Sequence, residues 1–99
     1  MGLLADNIRK AVRDGRYVIG DHADQRLTTR GIMDWQVIAG LDRARLLLER
    51  EDRRPNPVAE FEEVLPDGTP IKAVWAWISK NQIAKLVTVH FFPRMDTWN

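Results

Sequence analysis

The sequence has no cysteine, almost no net charge and no long apolar stretch. Without cysteine the chain can form neither a disulfide nor a thiolate metal site, which fits a reducing, cytoplasmic setting. A net charge of +1 excludes a general electrostatic binder of nucleic acid, so any RNA or DNA contact has to come from a local patch. No apolar run reaches the roughly 18 residues that span a bilayer, so we expect no membrane segment.

The composition that remains is typical of a soluble globular protein. Of the 99 residues, 44% are hydrophobic and 29% are charged. The sequence contains no internal repeat and no linker long enough to divide it. We therefore expect residues 1–99 to form a single domain around one core.

Apolar spacing and helix-end signals predict three helices. The first covers residues 3–14, where apolar residues recur at helical spacing. Asp21 is predicted to cap a second helix that runs to about Arg30, and Gly31 to end it in a left-handed conformation. Asp34 is predicted to cap the third.

The other elements are predicted strands, and four of them follow the last helix without interruption. Their expected ranges are 16–19, 45–50, 58–65, 71–78 and 84–92. Helices and strands in separate blocks favour an α+β fold. We expect about three helices on one face of a mostly antiparallel sheet of four to five strands.

The stretch "GDHADQRLTTRGI" places three polar side chains along one edge of the second helix. His22, Arg26 and Arg30 follow each other at four-residue steps, so they share an edge that we expect to be solvent-accessible. The positive end of the helix dipole favours a neutral imidazole at His22, which can accept a proton. The arginine forks suit phosphate oxygens. Alternatively, His22 caps its own helix and the arginines pair with Asp21, Asp24 or the acidic strand.

The second histidine lies in the last strand. Alternation places Val87, Val89 and Phe91 on one face of this strand, and on the other Leu86, Thr88, His90 and Phe92. If the helices cover the first face, His90 lies on the open one. Two histidines that meet can cleave RNA: one takes the 2′-hydroxyl proton, the other protonates the leaving oxygen, and arginine stabilises the phosphorane. The alternative is a structural histidine.

Two further features of the strands admit more than one interpretation. Trp75 and Trp77 share a face of one strand and either stack bases or form core or partner surface. The stretch 60–63, which contains three glutamates and Phe61, is expected to form a solvated edge strand protected by charge. No ligand spacing there indicates a metal site.

Over about residues 8–92 the sequence resembles the bacterial domain-of-unknown-function family numbered 4258. The resemblance is carried by "YVIGDHADQRLTTRGI", "PNPVAEFEEVLPDGTPIKAVWAW" and "LVTVHFF". The residues that match its helix motif are His22, Ala23, Arg26, Arg30, Gly31 and Ile32. The resemblance implies the compact helix-on-sheet fold of the RelE, BrnT and MqsR ribonuclease toxins, and with it an RNA-cleaving role.

Under this interpretation the chain is a metal-independent endoribonuclease of a toxin–antitoxin system. His22 is the expected base, His90 the acid, and Arg26 and Arg30 the phosphate ligands. Trp75 and Trp77 are the candidates for base stacking. The expected partners are RNA, which includes RNA on the ribosome, and a cognate antitoxin through which any DNA contact would be indirect; no cofactor, metal or membrane is expected.

Two other classes of function remain open from the sequence. The first is a non-enzymatic interaction module that uses an exposed apolar sheet face, formed by Trp75, Trp77, Phe92 and Trp98. The second is a DNA-binding helix-turn-helix over residues 23–41. Arg26 and Arg30 fit that motif poorly, because they occupy positions where it needs apolar side chains.

Overall fold

The computed structural model describes residues 3–92 and confirms the predicted α+β fold. The helices are α1 (Leu3–Arg13), α2 (Asp21–Arg30) and α3 (Asp34–Gly40), which continues into a 3₁₀ turn at Leu41–Arg43. The strands are β1 (Tyr17–Ile19), β2 (Arg45–Arg50), β3 (Val58–Val64), β4 (Pro70–Ile78) and β5 (Ile83–Phe91). Within residues 3–92, no helix has the length and apolar character needed to cross a membrane.

The five strands form one sheet in the order β1-β5-β4-β3-β2. Only the β1–β5 pair is parallel; the other neighbours are antiparallel. The helices pack on one face, where their apolar stripes and the inward side chains of the strands form one core. The largest fully buried side chains are Trp75, Phe61, Ile8, Leu41, Ile71 and Leu86.

The helix ends differ from the predicted ones on the N-terminal side. Gly20 and Met33 are the N-caps of α2 and α3, so the prediction that Asp21 and Asp34 cap these helices is wrong. Both aspartates lie in the first turn instead, where their negative charges interact favourably with the positive end of the helix dipole. Gly31 ends α2 as predicted, with a left-handed φ of 70°.

A bulge in β5 interrupts the predicted alternation. Val74 pairs with Thr88, but the next residue of β4, Trp75, pairs with Leu86, so Val87 is an extra residue in β5. Leu86 therefore faces the helices, contrary to the prediction. Beyond the bulge the predicted faces hold, and His90 lies on the face that none of the described helices covers.

The acidic strand β3 is an interior strand rather than the predicted solvated edge. It pairs with β2 on one side and β4 on the other, which leaves β2 at the edge. On the open face Glu60 pairs with Arg50 at 3.1 Å, and Arg45 donates to Glu62 at 2.9 Å. Glu63 points to the helix side and is only 2% exposed.

Candidate functional site

The candidate site forms where β5 extends beyond its short neighbour β1. Strand β1 pairs only with residues 84–86 of β5, and the Gly20 N–H then donates to the Leu86 carbonyl at 2.9 Å. Helix α2 starts at this point and runs beside the rest of β5. The buried side chains of α2 are those of Ala23 and Leu27, which face the sheet. This packing directs the adjoining edge of α2 towards the end of β5.

Arg26 joins this helix edge to the last strand. Its Nε donates to the Val89 carbonyl at 3.3 Å, and its Nη2 lies 3.1 Å from Nδ1 of His90. A guanidinium has no acceptor, so Nδ1 of His90 must accept this hydrogen bond. The neutral ring then carries its proton on Nε2. Arg26 is consequently half-buried, whereas His22 and Arg30 are exposed as expected.

The surroundings of His90 favour its neutral form. Partial burial lowers the pKa of His90 from 6.5, and the charges of Arg26, Lys72 and His22 lower it further, against a smaller opposing effect of Glu60. Neutral imidazole can act as a base but is a poor acid at neutral pH. These effects therefore favour the form of His90 that accepts a proton.

Two more cations lie near the end of β5, one on each face of the sheet. Lys72 pairs with His90 in the β4–β5 register, and its Nζ lies 3.5 Å from Glu60. The Arg30 guanidinium lies over the Phe91 ring, 5.0 Å from its centre. We call the set of His22, Arg26, Arg30, Lys72 and His90 the β5 cluster. Lys72 is not among the residues predicted for the site, because Lys72 and His90 are neighbours only through the register of β4 with β5.

The alternative interpretation of the α2 edge does not describe these contacts. Among residues 3–92, neither Arg26 nor Arg30 forms an ion pair with Asp21, Asp24 or the carboxylates of β3. Gly20, rather than His22, is the N-cap of α2. The arginines are directed to β5, where neither forms an ion pair with a carboxylate of the described residues.

The predicted tryptophan face is not exposed. Trp75 is fully buried, at 0% exposure, and Trp77 is half-buried against the core. Both side chains lie on the side of β4 that the helices cover, so the expectation that Trp75 stacks a base or contacts a partner is wrong. Phe92 is partly buried, and Trp98 lies outside the described residues.

Two surface cavities adjoin the helix side of the sheet. The smaller, of about 230 Å³, lies between the end of α2 and the β3–β4 hairpin and is lined by Arg30 and Phe91, among others. The larger, of about 970 Å³, lies between α3 and the ends of β2 and β3. In the described part of the chain, no group of three or more His, Asp or Glu side chains could hold a metal ion.

Comparison with known proteins identifies a family but no characterised relative. The model of a family described as Domain of unknown function (DUF4258) matches residues 19–91, which include α2, α3, β2 to β5 and the whole β5 cluster. No curated protein and no solved structure matches the chain. The likeness to RelE-type toxins therefore stays a prediction. The chain belongs to the DUF4258 family.

Proposed function

We propose that this protein binds RNA through the β5 cluster and cleaves it without a metal, as the toxin-like member of a bacterial toxin–antitoxin system. The observation that carries the proposal is the Arg26–His90 pair. A donor fork is held 3.1 Å from a ring nitrogen that must accept, and within residues 3–92 no helix covers the sheet face on which His90 lies. Lys72 and His22 add positive charge close enough to act on His90.

In the proposed reaction Arg26 exchanges its partner for a phosphate. The guanidinium turns its Nη2 donor from His90 to a phosphate oxygen, and Nδ1 of His90 then has a free lone pair. That nitrogen takes the proton of the 2′-hydroxyl while the 2′-oxygen bonds to phosphorus. The bond from phosphorus to the 5′-oxygen breaks, and protonated His22 supplies the proton to this leaving oxygen. Arg26 and Lys72 stabilise the phosphorane charge.

This mechanism reverses the roles predicted from the sequence. His90 becomes the base because its surroundings favour the neutral ring. His22 becomes the acid because it is exposed, and water and salt there screen the helix dipole that favours its neutral form. The products are a 2′,3′-cyclic phosphate and a 5′-hydroxyl end. The reaction requires a 2′-hydroxyl, so RNA rather than DNA is the proposed substrate. Consistently, α3, the would-be DNA-reading helix, contains no lysine or arginine.

Salt dependence of RNA binding tests the proposal. Each phosphate contact adds about −0.7 to the slope of log K against log salt concentration for a single strand. We expect Arg26→Gln combined with Arg30→Gln to flatten this slope by about one to two units. The measurement is fluorescence anisotropy of a labelled single-stranded RNA at several salt concentrations.

The control for this titration is Arg53→Gln, an exposed arginine in the loop that follows the distant edge strand β2. It should leave the slope unchanged. Arg26 also bonds to Val89 and His90, so the double variant should lose about 1–2 kcal/mol of stability while it remains folded by circular dichroism. If the control and the double variant have the slope of the wild type, the β5 cluster is not a phosphate site.

A further inference from the structure

We propose that the cavity between α2 and the β3–β4 hairpin receives an unpaired base next to the bound phosphate, so that the substrate is single-stranded RNA. The inference rests on the proposed function, because the phosphate in the β5 cluster brings the base to the cavity. A base that is paired in a duplex cannot enter a pocket of this kind.

The position of the cavity relative to the β5 cluster supports this assignment. Phe91 lines the cavity and directly follows His90 in β5. Arg30 lines it as well and lies four residues, about 6 Å along the helix axis, beyond Arg26 in α2. Because Phe91 faces the helix side and His90 the open side, an RNA strand reaches from the phosphate at Arg26 to the cavity around the edge of β5 that extends beyond β1.

The lining of the cavity suits the flat face and polar edge of a base. The Phe91 ring is 37% exposed, and the Arg30 guanidinium lies over it at 5.0 Å. A base can stack on the outer face of this guanidinium or displace it from the ring. Leu65 and Pro66 form apolar wall, while Gln36 provides an amide. The Gln36 Oε1 already accepts from the Met33 N–H at 3.1 Å, which leaves its NH₂ group for a ligand.

A second phosphate is a poor occupant of the same cavity because a carboxylate lines it. Asp67 accepts a hydrogen bond from the Thr69 N–H at 3.0 Å. That hydrogen bond holds the pKa of Asp67 below its usual range, so the group is ionised at neutral pH. An ionised carboxylate repels phosphate but can accept from the amino or imino group of a base. The cavity volume of about 230 Å³ is sufficient for one base.

Two probes of equal length separate base binding from phosphate binding. One is a labelled oligoadenylate, and the other is a ribose–phosphate oligomer without bases; affinity is measured by anisotropy at low salt. We expect Phe91→Ala to weaken oligoadenylate binding by about 5- to 100-fold and to leave the abasic oligomer unaffected. Phe91→Tyr, which keeps the ring, should bind as the wild type does. Arg26→Gln should weaken both probes.

The control is Leu48→Ala, which truncates an apolar side chain of similar exposure, 41%, on the far edge strand. A 2-aminopurine in the oligonucleotide gives a second measurement, because its fluorescence should rise when the base leaves the stack of neighbouring adenines for the cavity in the wild type, but not in Phe91→Leu. If the Phe91 variants equal the control in both measurements while Arg26→Gln still weakens binding, the base site is overturned and the proposed function stands. If the wild type binds neither probe, both proposals fail.

Discussion

Replacement of His90 by alanine is expected to slow RNA cleavage by a factor of about 10² to 10⁴, the usual contribution of a positioned general base. The variant removes the nitrogen that accepts from Arg26 at 3.1 Å and that would accept the 2′-hydroxyl proton. Single-turnover cleavage of an end-labelled, single-stranded RNA, with detection of the 2′,3′-cyclic phosphate, measures the effect.

His22→Ala is the matched variant because the His22 side chain is exposed, so its removal leaves the Arg26–His90 pair intact. It should also reduce cleavage, with a loss of stability of at most about 1 kcal/mol. In cells, induced expression of the wild type should arrest growth, and His22→Ala should relieve the arrest. Equal toxicity of the wild type and both histidine variants, with no cleavage by any of them, would contradict the assignment.

The pH dependence of cleavage supplies an independent check on His90 as the base. The pKa of His90 lies below 6.5, chiefly through partial burial and the charge of Arg26, so the neutral ring persists to lower pH than for a free histidine. The cleavage rate should therefore begin to fall only when the pH drops towards the lowered pKa of His90. Arg26→Gln removes one lowering charge and should move the acidic limb to higher pH. If the acidic limb of the pH–rate profile does not move in Arg26→Gln, the charge of Arg26 does not lower the pKa of His90.

The second large effect is expected in protein stability, which should decrease as the pH rises. Burial raises the pKa of Glu63 from 4.5 to about 8. Between these values the folded protein keeps the proton that the unfolded chain releases. The free energy of unfolding should thus fall by up to about 1.4 kcal/mol per pH unit from this group and level off above pH 8. Most carboxyl groups in proteins have the opposite effect.

The structure explains why Glu63 favours the protonated form. Its side chain is 2% exposed, and neither carboxyl oxygen has a hydrogen-bond partner within residues 3–92. It lies against Gly40 of α3, where a Cβ would approach Oε1 to 2.8 Å. The charge of Arg9 opposes the effect of burial. However, the Arg9 guanidinium donates to the carbonyls of Leu41, Asp42 and Ala44 and not to Glu63.

Urea unfolding between pH 5 and pH 9 measures the contribution of Glu63. Glu63→Gln cannot ionise, so it should remove most of this slope and be more stable than the wild type at pH 9. Glu62→Gln is the control, because Glu62 is adjacent in sequence but lies on the open face with Arg45. If Glu63→Gln and Glu62→Gln unfold with the same pH dependence, Glu63 does not titrate as described.

Local sequence patterns were sufficient to predict the elements of this fold. The C-terminal end of α2 and both ends of β2 agree with the predicted ones, and each other strand lies within one residue of its predicted range. Helical periodicity also predicted the shared edge of His22, Arg26 and Arg30. These features depend on residues a few positions apart, which the spacing of side chains and the signals at helix ends specify directly.

Glu63 illustrates a residue that the pattern could have found. Ala59, Phe61 and Glu63 alternate along β3 and therefore share a face, which the buried Phe61 marks as the core side. The acidic run around Glu63 instead favoured a solvated strand. The carboxyl is buried because β2 and β4 flank β3 and the helices cover it, and this arrangement is absent from the local sequence.

The candidate site itself was decided by the tertiary structure. Alternation specifies which residues share a face of a strand, but not which face the helices will cover, and so Trp75 is core instead of a stacking surface. The extra residue at Val87 reverses the facing of the residues of β5 that precede it. Register with β4 places Lys72 beside His90, and the packing of α2 on β5 brings Arg26 to its ring. These contacts join residues far apart in the chain, because strand pairing and helix packing minimise the free energy of the whole molecule.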